Sequence, residues 1–257
     1  MDNILEIFIS IVKKAGTAIA DIQGQDINER YKAKGDLITR ADELSHTLIE
    51  NELKRYFPNI PLVLEEQANS TVPQSQFIVG DELDGTIPFA RGMNEWSVSL
   101  AYIDEQPTHG VIFLPSLKIL ISAEKGKGCW INNKRVHITS TNRLADSVWG
   151  TELHPFLTDE HRQRFINTLS QHTLSTRCLA CATAGALELL LGHTDLYINC
   201  KGGKIWDFAA GALSVEEAGG IARYIDGTKI EWNSIEMNVL LAANMKIADD
   251  ALKLTIK

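Results

Sequence analysis

Several features that would narrow the role of this 257-residue chain at once are scarce or missing. Cysteine is scarce: Cys129, Cys178, Cys181 and Cys200 are too few to staple a chain of this length, so a disulfide scaffold is excluded. No run of about 18 uninterrupted apolar residues occurs, which leaves no membrane-spanning helix to expect. The start, Met1-Asp2-Asn3 and an apolar stretch broken by Glu6 and Lys13-Lys14, does not read as a secretory signal. Cytoplasm is the expected location, and Asn69-Ser70-Thr71 then fits a glycosylation sequon only by chance. Basic residues are outnumbered, with 25 Lys and Arg against 33 Asp and Glu, for a formal charge of −8. No segment gathers Lys and Arg with aromatics, so a nucleic-acid polymer is not an expected partner. A small anionic substrate stays compatible with this balance, because bound metal ions reverse a local field. No Walker-type phosphate loop exists, and Gly126-Lys127-Gly128 lacks the third glycine of a dinucleotide fingerprint. No Cys, Ser or His sits in a recognisable nucleophile motif. Low-complexity linkers and tandem repeats are absent too.

What is present is an ordinary globular mixture, 44% apolar and 23% charged. The length suits one large α/β domain or two intimately packed halves. Ile4, Leu5, Phe8, Ile11, Val12, Ala15, Ile19 and Ile22 recur at helical spacing and predict a long opening helix. After a polar connector, Thr39-Arg40-Ala41-Asp42 reads as a capping box that opens a second helix, ended by Pro58. Phe77-Ile78-Val79 predicts a buried strand ending at Asp81, and strands follow around 96–100, 110–114 and 119–121. Cys129 to Ile138 reads as a hairpin turning at Asn132-Asn133. Beyond it, helices are expected near 159–170, 182–192, 207–218 and 246–256, and strands near 195–199, 221–224 and 238–242. Residues 1–145 and 146–257 are taken as two subdomains of a layered α/β architecture, the second completing a site begun in the first.

The most informative segment is Gly80-Asp81-Glu82-Leu83-Asp84-Gly85-Thr86. A strand delivers two carboxylates three residues apart, Gly85 frees the backbone, and Thr86 can open a helix. Mg²⁺ wants oxygen ligands, commonly a few carboxylates with water and substrate phosphate. The backbone N–H groups of Gly85 and Thr86 would face that phosphate. Leu62-Val63-Leu64 leads into Glu65-Glu66, a second strand ending in carboxylates. Asp207, after Trp206, opens a helix whose body is Phe208-Ala209-Ala210-Gly211-Ala212; complementing that helix dipole is its alternative role.

Strand–Glu-Glu, Asp-x-x-Asp-Gly-Thr, and Trp-Asp-x-Ala-Ala-Gly followed by Glu-Ala-Gly-Gly together resemble the inositol monophosphatase superfamily along nearly the whole chain. The resemblance implies a layered α-β-α-β-α sandwich of the inositol monophosphatase and fructose-1,6-bisphosphatase type. It implies Mg²⁺ held by Glu65, Asp81, Asp84, Asp207 and the Leu83 carbonyl, with Glu65, Thr86 and Asp42 in catalysis. Thr86 and Asp42 would position and polarise the attacking water, and Gly85 and Thr86 would cradle the phosphate. The implied activity is hydrolysis of a phosphate monoester on a small metabolite, with Li⁺ sensitivity and a homodimer. Such hydrolysis is among the slowest uncatalysed reactions, so a metal-activated water suits a chain without a nucleophile motif.

Two departures matter. Glu82 stands where the family usually has proline; it reads as a solvated side chain, the alternative being that it perturbs the metals. The stretch from Ile198 to Ile205 lacks the carboxylate that inositol-specific members use on the ring hydroxyls, and carries Lys201 and Lys204 instead. These lysines either bind a second phosphate or are solvated. With Asn94-Glu95-Trp96-Ser97-Val98, similar to a stretch of the family's bisphosphate nucleotidases, they raise 3′-phosphoadenosine 5′-phosphate as an alternative substrate. A binding protein that kept the fold and lost turnover is the non-enzyme alternative. Cys178-x-x-Cys181 lacks the partners of a zinc site and reads as partly buried thiols.

Overall fold

Phe8, Ile11, Val12, Ala15 and Ile19 line one buried stripe of the first helix, α1 (Ile4–Ala20), while Ile22 falls in the turn beyond its end. A computed structural model describes residues 4–25, 27–33, 36–67, 71–155 and 157–256, with Ala33 and Asp36 described by backbone alone. The Asn69-Ser70 portion of the sequon lies outside these residues. The expected polar connector contains a short antiparallel hairpin, β1 (Arg30–Ala33) and β2 (Asp36–Ile38), too brief and too polar to show alternation. Helix α2 (Arg40–Tyr56) opens with the expected box: the Thr39 hydroxyl accepts from Ala41 N–H, and the Asp42 carboxylate accepts from Thr39 N–H.

Strand β3 (Leu62–Leu64) ends in a 3₁₀ turn, Glu65–Gln67, and β4 (Phe77–Asp84) is buried along its whole length. The strand expected to end at Asp81 continues to Asp84, with an irregular register between them. After α3 (Thr86–Ala90) come β5 (Ser97–Asp104), β6 (Gln106–Leu114), β7 (Ile119–Glu124), β8 (Gly128–Ile131) and β9 (Lys134–Val136). Strands β3 to β9 form one seven-stranded sheet in chain order. Asn132 and Asn133 turn the last hairpin with φ of 48° and 66°, the two positive values that a tight turn between twisted strands requires.

The second sheet follows from β10 (Val148–Thr151). Helix α4 (Asp159–His161) runs through π-helical turns at Arg162–Asn167 into α5 (Thr168–His172), then β11 (Ser175–Cys178) and α6 (Ala182–Leu190). The chain closes with β12 (Leu196–Asn199), α7 (Ile205–Glu217), β13 (Ile221–Tyr224), β14 (Val239–Ala242) and α8 (Met245–Thr255). The five strands lie in the order β11-β10-β12-β14-β13. Strand β11 had no expected counterpart because Ser175-Thr176-Arg177-Cys178 is an exposed, apolar-poor edge.

Three apolar clusters stack these elements into the expected five layers, helix–sheet–helix–sheet–helix. Phe8, Ile11, Ile49 and Leu53 of α1 and α2 pack on Ile78, Leu100 and Val111 of the first sheet. Its other face, with Val79, Ala101 and Ile112, meets Leu187 of α6 and Ala209 to Leu213 of α7, which also pack on Val239 and Leu241 of the second sheet. Phe165, Leu169, Ile247 and Ala251 cover the far side of that sheet on Trp149, Ile198 and Leu240. Small residues let α7 lie close, since a Cβ at Gly110 would sit 3.1 Å from Ala210 Cα. Among the described residues no helix is long and apolar enough to cross a membrane.

Candidate active site

Strand register builds the acidic centre. β3 and β4 are parallel with Leu64 beside Gly80, so the next residues, Glu65 just past the end of β3 and Asp81 within β4, come to one level. One carboxylate oxygen from each of Glu65, Asp81 and Glu82 lies within 4.8 Å of the others. Asp207 arrives from the first turn of α7, where its Oδ2 accepts from the Lys204 N–H at 2.8 Å. Asp207 thus caps the helix, the alternative role expected of it, and also lines the pocket. That pocket, about 140 Å³, is bounded by Glu65, Asp81, Leu83, Asp84, Thr86 and Asp207.

Burial and mutual repulsion hold these acids away from their ordinary state. Burial pushes Glu65 up to about 8 against the pull of Lys32, with Glu66, Glu82 and Asp42 adding to the rise. Asp81 and Asp207 are also raised well above the carboxylate range, by burial first and by their acidic neighbours second. Asp81 has a donor in the Leu83 N–H at 2.9 Å. A cluster of crowded oxygen ligands with so little internal neutralisation fits a hard divalent cation, whose charge would reverse this balance.

The Asp84 carboxylate is turned onto the start of α6. Its Oδ2 accepts from Thr183 N–H at 2.7 Å, Thr183 hydroxyl at 2.5 Å and Cys181 Sγ at 3.2 Å; Oδ1 accepts from Ala182 N–H at 3.2 Å. Oδ2 is thus saturated, Oδ1 keeps lone-pair capacity, and Asp84 lines the pocket. Cys181 is a buried thiol raised well above its usual value, Cys178 is exposed, and both are free.

Thr86 and Asp42 are in direct contact. Gly85 sits at φ 86°, where an added Cβ would lie 2.8 Å from the Glu95 carbonyl oxygen; this turn aims Thr86 across the pocket. Thr86 Oγ1 lies 3.0 Å from Asp42 Oδ1 and 3.1 Å from the Leu83 carbonyl oxygen. Asp42 Oδ2 accepts from Thr39 N–H and hydroxyl, both at 2.7 Å. Burial raises Asp42, and the Thr39 and Thr86 hydrogen bonds restrain that rise.

Glu82 is not solvated. It is buried, its Oε1 lies 2.6 Å from His46 Nδ1, and the contact holds His46 above its ordinary value. The bulged register and the length of the side chain carry its carboxylate in among α2 and the cluster. Lys201 is exposed, and Lys204 pairs with Glu236, a partner that its own loop does not contain. Both lysines border a wider cavity of about 770 Å³ that also touches Glu65, Asp207, Lys32 and His154. Lys32, 2.5 Å from Glu66 and 3.4 Å from Glu65, was hidden in the unrecognised hairpin. Glu152 was missed as well; it accepts from Tyr197 hydroxyl at 2.7 Å, lies 2.9 Å from His154 Nε2, and brings a carboxylate to the pocket wall. A Thr-Glu pair ending a strand was its signal, obscured because that strand was not expected.

The sequence model of the inositol monophosphatase family matches residues 1–255. Inositol monophosphatase 1 of Solanum lycopersicum is 30% identical over 243 residues, covering 91% of this chain and 89% of its own. A Pasteurella multocida protein named Nus factor SuhB is 30% identical over 234 residues, with 88% and 87% covered. The solved structure of a Thermotoga maritima IMPase superposes with a TM-score of 0.88 at 26% identity, covering 99% of this chain and 97% of that one.

Proposed function

This chain belongs to the inositol monophosphatase family, and from that premise we propose that it is a Mg²⁺-dependent phosphatase acting on a phosphate monoester of a small, soluble metabolite. The observation that carries the reading is the convergence of Glu65, Asp81, Asp84 and Asp207 on one pocket whose rim holds the Thr86–Asp42 pair. Glu65, Asp81, Asp207, the free side of Asp84 and the Leu83 carbonyl would hold the cation. When bound, Mg²⁺ supplies charge neutralisation for the phosphoryl group and eases deprotonation of water. The chain's own residues do the rest. Thr86 Oγ1 accepts a proton from the attacking water as it passes its own to Asp42 Oδ1. The backbone N–H groups of Gly85 and Thr86 hold phosphoryl oxygens. Water attacks phosphorus and the ester P–O bond breaks; the leaving alkoxide takes a proton from solvent, and Asp42 returns to solvent the proton it received.

An inositol phosphate is the first reading for the substrate. Glu152 supports it, since a buried carboxylate on the pocket wall offers a ring hydroxyl an acceptor that the Ile198–Ile205 loop lacks. A bisphosphorylated nucleotide is the second, favoured by Lys201 at the wider cavity; Lys204 favours it less, being paired with Glu236. Comparing kcat/KM for myo-inositol 1-phosphate and 3′-phosphoadenosine 5′-phosphate decides between them. Preference for the nucleotide, with KM rising steeply with salt and levelled by K201E, would displace the first reading. Inhibition by Li⁺ against a K⁺ control, a homodimer, a cytoplasmic location and the two-subdomain division near residue 145 belong to the same reading. Turnover is favoured over a purely regulatory role because all of the acids and the Thr86–Asp42 pair are in place together.

A further inference from the structure

Glu82 lies between two of the acids assigned to the cation, and it is itself 1% exposed. On a regular strand, consecutive side chains take opposite faces. Here the register is irregular between Asp81 and Asp84, and a Glu82 carboxylate oxygen comes within 4.8 Å of one on Glu65 and one on Asp81. Helix α2 braces it from behind. The Ser45 hydroxyl donates to the Glu82 backbone carbonyl at 2.6 Å, and His46 Nδ1 lies 2.6 Å from Oε1. The Glu66 N–H reaches the same oxygen at 3.4 Å. Oε2 is buried with no hydrogen-bond partner among the described residues. A buried carboxylate with one oxygen left without a partner, and with two further carboxylates close by, is strongly unfavourable unless something positive occupies the space between them.

We propose that Glu82 is a further carboxylate ligand, on the side of the site where Glu65 and Asp81 meet, for a divalent cation, and that His46 orients it. This rests on the metal-dependent reading above and adds to it a ligand from the residue between Asp81 and Leu83. Mg²⁺ usually keeps several waters, so a further carboxylate replaces one of them and adds a charge, which tightens binding. His46 then acts as does the outer partner of a ligating carboxylate, fixing which oxygen faces the ion.

Calorimetric titration of the full chain with MgCl₂ alone, without substrate, tests this. E82Q keeps the shape and an acceptor for His46, and its Mg²⁺ affinity should fall roughly ten-fold or more, with H46Q falling less. The rise in Tm on adding Mg²⁺ should shrink in E82Q, while its cation-free Tm matches or exceeds that of the unaltered protein. Should E82Q fold poorly, H46Q carries the same comparison. Equal affinity and equal Mg²⁺-induced Tm shift in both variants and the unaltered protein would overturn the proposal. If D81N then abolishes binding that E82Q leaves intact, the metal reading stands and only the share of Glu82 is lost. If the unaltered protein binds no Mg²⁺, both fall.

Discussion

The Thr86 hydroxyl lies 3.0 Å from the carboxylate of Asp42, 44 residues earlier in sequence, and joins the first turns of two helices. Asp42 is anchored by Thr39 on its other oxygen, so Thr86 meets an acceptor that cannot swing away. T86A should lower kcat by about 10²- to 10⁴-fold with little change in KM, because the lost contact matters chiefly in the transition state. D42N should cost a similar factor, and the double variant little more than either single one, since the two act as a unit. Steady-state kinetics on the four proteins decide it. Unchanged kcat with a raised KM in T86A would make Thr86 a substrate contact only.

Repulsion among the acids predicts a trade of stability for activity. D81N removes one charge from the cluster while keeping its shape, so thermal melts in excess chelator should give a Tm equal to or above that of the unaltered protein, with activity lost. A D81N variant that melts well below it in chelator would show the acid to be a structural support instead.

The same acids set a pH dependence in the cation-free protein. Glu65 is raised to about 8 and Asp81 and Asp207 lie well above the carboxylate range, whereas all three titrate near ~4 in an unfolded chain. Between about pH 4 and 8 the folded state therefore holds protons that the unfolded chain has released, and stability falls as pH rises. Denaturant unfolding in chelator should show that decline from pH 5 to 8, reduced in D81N. Saturating Mg²⁺ should remove it, because the bound ion requires deprotonated ligands. Flat or rising stability over this window in chelator would contradict the assignment.

Gly85 is required by conformation and by space. A side chain there combines a left-handed φ of 86° with a Cβ 2.8 Å from the Glu95 carbonyl oxygen, an atom of the backbone that has little freedom to retreat. G85A should lose about 1–3 kcal/mol of stability and displace Thr86, so kcat falls in the part that remains folded. Denaturation midpoints and kinetics of G85A check both; unchanged values in each would mean that the turn relaxes freely.

Much of the fold was legible because its signals are local. The α1 stripe, the Thr39–Asp42 box and the Asn132-Asn133 turn each lie within one element and follow from spacing or backbone chemistry. The acids were legible for the same reason: Glu65 and Asp81 each end an apolar run, and the parallel register of β3 and β4 makes them neighbours. What was not legible depends on long-range placement. Glu82 reads as solvated until a bulge and α2 enclose it, and Lys204 reads as an open cation until Glu236 arrives from 32 residues away. Lys32 and Glu152 sit on or beside strands too short to alternate, so neither had an expected position from which to reach the pocket.

The most direct test of the central claim is phosphate release by the purified protein from myo-inositol 1-phosphate and 3′-phosphoadenosine 5′-phosphate, with Mg²⁺, with excess chelator, and with Mg²⁺ restored. The account predicts release from at least one substrate with Mg²⁺, none in chelator, recovery on adding Mg²⁺ back, and none at any stage from folded D81N. Undiminished release in chelator, or full activity in D81N, would contradict it.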